Sequence, residues 1–425
     1  MMNISIIGSG YVGLVTAVVL AKQGHNVICV DVDEKRVESI RRKEPSIFEP
    51  KLKEYLEGVN LEATTDLNYA IQNSDICFLC VPTPSRDDGS INLEYVKNAT
   101  KSIGEKIKNK DYYVFVVKST VIPGTTEEVV IPILEEASGK KVGEDFGVCM
   151  NPEFLREGHA IYDSENPDRI VIGEHDKKSG DALVEVYSNH TCPFVRTNTK
   201  TAELAKYASN ALLATKIGFA NEIGNVCKKL GTDVYDVMKI VGMDSRVSEK
   251  FLDAGVGFGG SCFPKDVAAL VARSKELGHD AKILSQVLDS NKEQRMKIIE
   301  LLESKMELKD KKITILGLSF KPGTDDVRES PAIDIIAKLN EKGTRISVYD
   351  PKAMTNIKKI FDNIEFNASP QEALKNADGC LILTEWDEFK ELKDEDFNLM
   401  KNRVIIEGRK VLNPDYVKDF EGVCW

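Results

Sequence analysis

The chemistry of this chain is concentrated at a cysteine that follows a run of glycines. In Gly255-Val256-Gly257-Phe258-Gly259-Gly260-Ser261-Cys262-Phe263-Pro264-Lys265-Asp266, four glycines leave the backbone open to close approach by a ligand. Cys262 stands just ahead of a helical pattern and near Lys265, a setting that favours the thiolate and hence a nucleophile. A lone cysteine is ordinarily a small buried hydrophobe. The glycines before it and Lys265-Asp266 after it favour the nucleophile here. Lys206 and Asn210 lie four apart, on one face of a helix. Such a pair is unremarkable on a solvated helix and gains weight only as a partner for Cys262.

A second chemistry-bearing segment is Gly8-Ser9-Gly10-Tyr11-Val12-Gly13, set between a strand pattern and a helical one. Gly8 permits a tight turn, Gly10 lets a pyrophosphate approach the backbone, and Gly13 lets helix pack on strand. The diphosphate would rest on the helix N-terminus. Asp31 closes the second strand, about twenty residues on, where an acid accepts hydrogen bonds from a ribose diol and repels a 2′-phosphate. NAD is therefore favoured over NADP. Arg36 is either a partner for such a phosphate or a solvated first-turn side chain. An FAD-binding or merely regulatory nucleotide fold is the alternative reading of the glycines. Three loops at strand ends, Val81–Pro84, Lys118–Gly124 and Asn151–Gly158, fall at the sheet edge where ligands bind in α/β folds.

Short apolar runs alternating with helical patterns must position these groups. Strands are expected at Ile4–Gly8, Val27–Val30, Ile76–Val81, Tyr113–Lys118, Gly147–Met150 and Ile170–Ile172, several of them apolar on consecutive positions, as doubly covered strands require. Helical patterns run from Thr201 to about Leu230 and from Val267 to about Leu302, broken near Gly231 and at Gly255–Gly260. Strands resume at Lys312–Leu316, Arg345–Tyr349, Gly379–Leu383 and Val404–Ile406, after the charged linker Leu308–Lys311. This last part echoes the first: a strand enters a glycine turn at Gly317, and a second strand ends in Asp350. The expected architecture is α/β. Two Rossmann-like domains with parallel sheets, residues 1–198 and 309–425, are joined by a central helical domain, 199–308, with a long helix.

Bulk properties narrow the function classes. A chain of 425 residues exceeds one ordinary domain, and its net charge of −11 argues against a nucleic-acid binder. The N-terminus reads as a strand and no apolar run approaches a membrane span. Nine cysteines without a secretory signal point to free thiols and a cytoplasmic location. Cys77 and Cys80 have redox-motif spacing but lie in an apolar run, so buried strand cysteines are the better reading. The five histidines show no ligand spacing, and no catalytic metal is expected.

The segments GSGYVG, VPTP, KSTVIPGT, NPEFLREG, AELAKYASN, GFGGSCFPKD, GLSFKPGTDDVRES and EGRKVL, in this order over essentially the whole chain, resemble the UDP-glucose/GDP-mannose dehydrogenase family. The resemblance implies two successive NAD-dependent oxidations of a nucleotide-sugar C6 alcohol to a carboxylate, with UDP-glucose giving UDP-glucuronate. By the same resemblance Cys262 traps the aldehyde as a thiohemiacetal that becomes a thioester. Lys206, assisted by Asn210, stabilises charge on the C6 oxygen. Asp266 helps position a water, Glu153 does acid–base work in hydrolysis, and Thr120 lies near that water. The implied NAD contacts are Gly8, Gly10, Tyr11, Val12, Gly13, Asp31, Arg36, Thr83, Ser119, Thr120, Glu157, Lys265 and Arg328. The implied sugar-nucleotide contacts are Phe154, Leu155, Arg156, Glu157, Lys206, Asn210, Arg246, Phe251, Gly257, Phe258, Gly259, Phe320, Lys321 and Arg409, of which Lys321, Arg246 and Arg409 suit a diphosphate. The central helices are expected to form a homodimer, with Arg246 reaching a neighbouring subunit's site. Phe258 in GFGGSC favours UDP-glucose over GDP-mannose or UDP-N-acetylmannosamine. A two-electron 3-hydroxyacid dehydrogenase would share the first fold and a helical lysine but has no use for Cys262. A non-enzymatic NAD sensor would need neither Cys262 nor Lys206.

Overall fold

The computed structural model describes all 425 residues, which form two compact units, Met1–Ser209 and Asn210–Trp425. The first holds eight strands: β1 (Asn3–Ile7), β2 (Asn26–Val30), β3 (Leu61–Thr64), β4 (Ile76–Leu79), β5 (Tyr113–Val117), β6 (Phe146–Met150), β7 (Ile170–Glu174) and β8 (Phe194–Thr197). They lie in the order β3-β2-β1-β4-β5-β6-β7-β8. The order reverses between β1 and β4, which puts a crevice at the C-terminal ends of those two strands. All pairings are parallel except β6 with β7, so the sheet is mixed where a purely parallel one was expected. The four central strands β1, β4, β5 and β6 are almost wholly buried, because helices cover both faces and their side chains are apolar on both.

Helix α1 (Tyr11–Lys22) follows the glycine turn directly, and its apolar residues from Leu14 to Leu20 are buried against the sheet. Helix α2 (Thr199–Leu230) is 32 residues long, and the division between the two units falls within it, after Ser209. The second unit continues with α3 (Val234–Gly242), α4 (Phe263–Glu276) and α5 (Lys282–Lys305). The run expected as one pattern from Val267 is thus two helices, interrupted where Gly278 takes φ +77°.

Its sheet comprises β9 (Lys312–Leu316), β10 (Arg345–Tyr349), β11 (Glu365–Phe366), β12 (Gly379–Ile382), β13 (Val404–Glu407) and β14 (Phe420–Gly422). The order β11-β10-β9-β12-β13-β14 is parallel throughout and reverses between β9 and β12, as in the first sheet. Helix α6 (Pro331–Glu341) packs on it through Ala332, Ile335, Ile336 and Leu339. Side chains of α5, β9 and α6 share one apolar core in this unit. No helix is long and apolar enough to cross a membrane.

Candidate active site

The glycine turn has the geometry a dinucleotide requires. Gly8 takes φ +97°, and a Cβ there would meet the Cys80 carbonyl oxygen at 2.7 Å. A Cβ on Gly13 would meet the Gly8 carbonyl oxygen at 1.9 Å, so only glycine lets α1 sit this close to β1. Gly10 faces open space and is the N-cap of α1, with no side chain capping the free amides. These residues fit a diphosphate at the helix N-terminus.

Asp31 is buried at the end of β2, where its Oδ2 accepts from the Ser9 amide (2.8 Å) and hydroxyl (2.7 Å). Burial works against its charge. The amides of Asp33 and Ser9, the Ser9 hydroxyl and Arg36 outweigh it, and the carboxyl titrates below its ordinary range. Arg36 leans on Asp31 at 3.6 Å and Asp33 at 3.8 Å.

Tyr11 is tied down by a residue the sequence did not single out. Its hydroxyl donates to the buried Glu49, which also accepts from the amides of Gly158 (2.8 Å) and Ala160 (2.7 Å). Val12 carries the α1 backbone, its carbonyl accepting from Thr16. Thr83 is half-buried in the loop after β4, and Ser119 after β5 donates to the Val81 carbonyl at 2.7 Å.

The first unit also gathers buried ions at its strand ends. Lys206 on α2 is 3% exposed and pairs with Glu153 Oε1 at 2.8 Å. Burial raises the Glu153 carboxyl, but Lys206 and the Leu155 amide prevail and hold it below the usual range. One turn earlier Glu203, fully buried, accepts from the Gly124 amide (2.6 Å) and from the Thr126 amide and hydroxyl (2.8 and 2.6 Å). Tyr207 reaches the Thr120 carbonyl at 3.5 Å. Three neighbouring side chains of α2 thus hold the loops that bear Thr120 and Glu153. Phe154 lies under the Arg169 guanidinium, 3.9 Å from its ring centre. Leu155 packs on the core, Arg156 is exposed and paired with Asp163 at 2.6 Å, and Glu157 is half-buried.

In the second unit Cys262 is the N-cap of α4 and one of two cysteines that are not buried, with Cys192. Its carbonyl accepts the Asp266 amide at 2.8 Å. Asp266, 1% exposed, takes Asn210 Nδ2 at 2.6 Å on one oxygen and Lys265 Nζ at 2.5 Å on the other. Asn210 therefore meets Asp266, and Lys206, one turn back on α2, meets Glu153. Cys77 and Cys80 lie buried on and just after β4, and burial pushes each thiol up to about 12.

Around the cysteine loop, Gly257 and Gly260 take φ +92° and +83°, and Phe320 packs against Gly260. A Cβ on Gly259 would meet the Glu329 carbonyl at 2.2 Å. Phe258 is 3% exposed and edge-on to Phe263, which Phe251 flanks on the other side. Arg409 donates to the Gly257 carbonyl at 2.5 Å, and Lys321 lies over the Phe320 ring. Arg328 pairs with Asp326 while its carbonyl accepts the Gly260 amide. Arg246 is exposed and paired with Asp244.

The chain matches three domains of one family along its length. Residues 2–191 match the NAD binding domain of the UDP-glucose/GDP-mannose dehydrogenase family, 200–293 its central domain and 314–414 its UDP binding domain. A UDP-glucose 6-dehydrogenase of Haloferax volcanii is 44% identical over 99% of this chain and 100% of its own length. Among solved structures, a UDP-glucose dehydrogenase from Pyrobaculum islandicum aligns with a TM-score of 0.94 at 40% identity, covering 100% of this chain and 98% of that one. A UDP-D-ManNAc dehydrogenase from Pyrococcus horikoshii aligns with 0.89 at 26%, covering 99% of each.

Proposed function

This chain belongs to the UDP-glucose/GDP-mannose dehydrogenase family, and we propose that it oxidises the C6 alcohol of UDP-glucose to the carboxylate of UDP-glucuronate. The observation that carries this reading is Cys262: a thiol outside the core, at the N-cap of α4, behind a glycine loop and next to the held carboxylate Asp266. A two-electron dehydrogenase has no use for it. The 44% identity to a UDP-glucose 6-dehydrogenase supports the choice of sugar over GDP-mannose or UDP-N-acetylmannosamine.

The glycine turn, Asp31 and Arg36 would hold NAD, with Thr83, Ser119, Thr120, Glu157, Lys265 and Arg328 completing its contacts. Bound there, NAD would supply the hydride acceptor for both oxidations at C6. Lys206 stabilises negative charge growing on the C6 oxygen, and Asn210 adds a neutral donor one turn on. The first oxidation leaves an aldehyde. Cys262 Sγ bonds to its carbon and the carbonyl oxygen takes up the proton, giving a thiohemiacetal. The second oxidation turns this into a thioester. Water then attacks the carbonyl carbon, the C–S bond breaks and the thiol is restored. Glu153, held ionised, accepts a proton from that water near Thr120, while Asp266 with Lys206 orients it. One alcohol, two NAD and one water thus give one carboxylate, two NADH and three protons. Lys321, Arg246 and Arg409 would take the diphosphate, and Phe154–Glu157, Phe251, Gly257–Gly259 and Phe320 would line the sugar nucleotide.

Leu212, Phe219 and Val226 are each at least half exposed and lie seven apart on α2, an apolar stripe that supports a homodimer through this helix. Nine free thiols support a cytoplasmic enzyme.

The test is to count NADH per sugar with UDP-glucose, GDP-mannose and UDP-N-acetylmannosamine offered side by side. Two NADH from UDP-glucose, turned over fastest, is expected. One NADH per sugar rules out the thioester route, and faster turnover of another sugar reassigns the substrate. Phe219→Glu is expected to halve the mass seen by sedimentation; an unchanged mass excludes the α2 stripe as the interface.

A further inference from the structure

A glycine-rich loop makes no ladder of its own, so its buried peptide groups need partners from elsewhere. In the Gly255–Gly260 loop the main chain supplies two of those partners, the Gly408 and Arg328 carbonyls, and Arg409 a third; the others come from side chains of two helices. Asn291 on α5, 4% exposed, bonds both polar groups of one residue: its Oδ1 accepts the Phe258 amide at 2.7 Å and its Nδ2 donates to the Phe258 carbonyl at 2.9 Å. One turn on, Gln294 Nε2 donates to the Gly255 carbonyl at 2.7 Å, its amide oriented by Asn225 through Gln294 Oε1 at 2.8 Å. Asn221 on α2 accepts the Gly255 amide at 2.8 Å, and Arg295 adds a bond to the Phe258 carbonyl at 3.0 Å.

We infer that Asn291 and Gln294 are positioning residues for Cys262: they set the course of the loop that delivers the thiol. The inference rests on Cys262 being the nucleophile, as proposed above. Phe258 is the link. Its main chain is bound by Asn291 on both sides, and its ring packs among Ala211, Ala214, Val267 and Val287 and edge-on to Phe263. Phe263 is the residue after Cys262, and the path between Phe258 and Cys262 is only Gly259, Gly260 and Ser261. The thiol is thereby fixed from both directions along the chain. The fit is tight as well as bonded, since a Cβ on Gly257 would lie 2.6 Å from Asn291 Oδ1. Phe258 is thereby held at its buried ring and at both of its main-chain polar groups.

The side-chain chemistry makes this testable. An asparagine offers one acceptor and one donor, matching one N–H and one C=O. Aspartate has the same size but no donor when ionised, so Asn291→Asp leaves packing intact and sets a carboxylate against the Phe258 carbonyl. Asn291→Ala, Asn291→Asp and Gln294→Met are compared with the parent in the full-length protein. The readouts are the rate of Cys262 alkylation by iodoacetamide, located by mass spectrometry because Cys192 is also accessible, together with kcat, KM for NAD and for UDP-glucose, and the thermal midpoint. Both Asn291 variants are expected to change the alkylation rate about three-fold or more and to lower kcat about ten-fold or more, with KM for NAD within about two-fold. Gln294→Met is expected to act in the same direction but less. A variant that folds, yet alkylates and turns over within two-fold of the parent, overturns the inference whatever its thermal midpoint. If the Asn291 variants do not fold, Gln294→Met decides by the same criterion. If the parent itself does not turn over UDP-glucose, the substrate reading fails while the alkylation comparison still decides this one.

Discussion

The two sheet-bearing units begin alike and end up different. Each opens with a strand running into a glycine of positive φ, Gly8 at +97° and Gly317 at +90°, and each closes its second strand with an aspartate. In the first unit α1 starts within the glycine turn and no side chain caps its N-terminus. Asp31 is 8% exposed and holds the turn through Ser9. In the second unit Asp350 is 1% exposed and engaged from every side: by the amides of Leu318, Ser319, Lys352 and Ala353, the Ser319 hydroxyl and the Trp386 indole. Helix α6 begins only at Pro331, and Ser330 caps it. The same frame therefore offers an uncapped helix end and an acid with fewer partners in one unit, and a capped helix and a fully engaged acid in the other. In the second unit a loop that includes Phe320 to Glu329 separates β9 from α6 instead, and the fold alone does not assign the ligand.

The largest expected effect separates chemistry from cofactor binding. Cys262→Ser should lower product formation by about three orders of magnitude or more, while calorimetry finds NAD affinity within two-fold of the parent. Retained turnover would remove the Cys262 thiol from the chemistry. Next is the pair Gly13→Ala and Gly317→Ala. Overpacking costs about 1–3 kcal/mol. In the first unit it should push α1 off β1 and weaken NAD on the order of ten- to a hundred-fold. In the second the new Cβ lies 2.6 Å from Thr384, so the thermal midpoint should fall with NAD affinity unchanged. Equal NAD losses in both would contradict a division of labour between the two units.

The two aspartates sharpen the contrast further. Asp350→Asn leaves buried donors without acceptors and should cost about 1–3 kcal/mol in denaturant unfolding. Asp31→Asn should instead relax the preference for NAD over NADP, by roughly ten-fold, a change of about 1.4 kcal/mol in binding. The smallest effect is on pH dependence, and here the units differ in sign. Glu407, at the end of β13, is pushed up to about 7, first by burial, with the Leu412 and Val411 amides pulling the other way. Its Oε2 has no hydrogen-bond partner. A folded state that prefers the protonated form has this contribution in full below about pH 4 and loses it as pH rises through about 7. Asp31, shifted down, contributes above its ordinary range and loses its contribution as pH falls. Glu407→Gln should therefore stabilise the protein at pH 8 by on the order of 1 kcal/mol and change little at pH 4; a gain confined to low pH would reverse the assignment.

The inner strands were legible because they are covered on both faces and carry apolar residues at consecutive positions: β1, β4 and β5 lie within a residue or two of where the pattern puts them. The edge strands were not. β3 alternates buried with exposed positions over four residues, β8 exposes Val195 and Arg196, and β11 is two residues long, so none leaves an apolar run. β14 and helix α3 also lay outside the reading. At the site, Cys262 stood out through its neighbours in the chain, and Lys206 only as a partner for it. Glu49, Glu203, Asn291 and Gln294 did not, since their partners lie 33 to 111 residues away. Glu203 three residues before Lys206 was the only local hint.

What the sequence determined by itself was local: the strand–glycine–helix turn at Gly8–Gly13, the length of α2, and a cysteine set just ahead of a helix. Spacing and backbone preference act over a few residues, so they can be read along the chain. Which of two similarly placed aspartates is more completely engaged was decided only by the tertiary structure. So was the choice of buried amides that hold the cysteine loop. Burial and hydrogen-bond partners come from residues distant in sequence, as Trp386 does for Asp350 and Asn291 for Phe258. No local pattern records them.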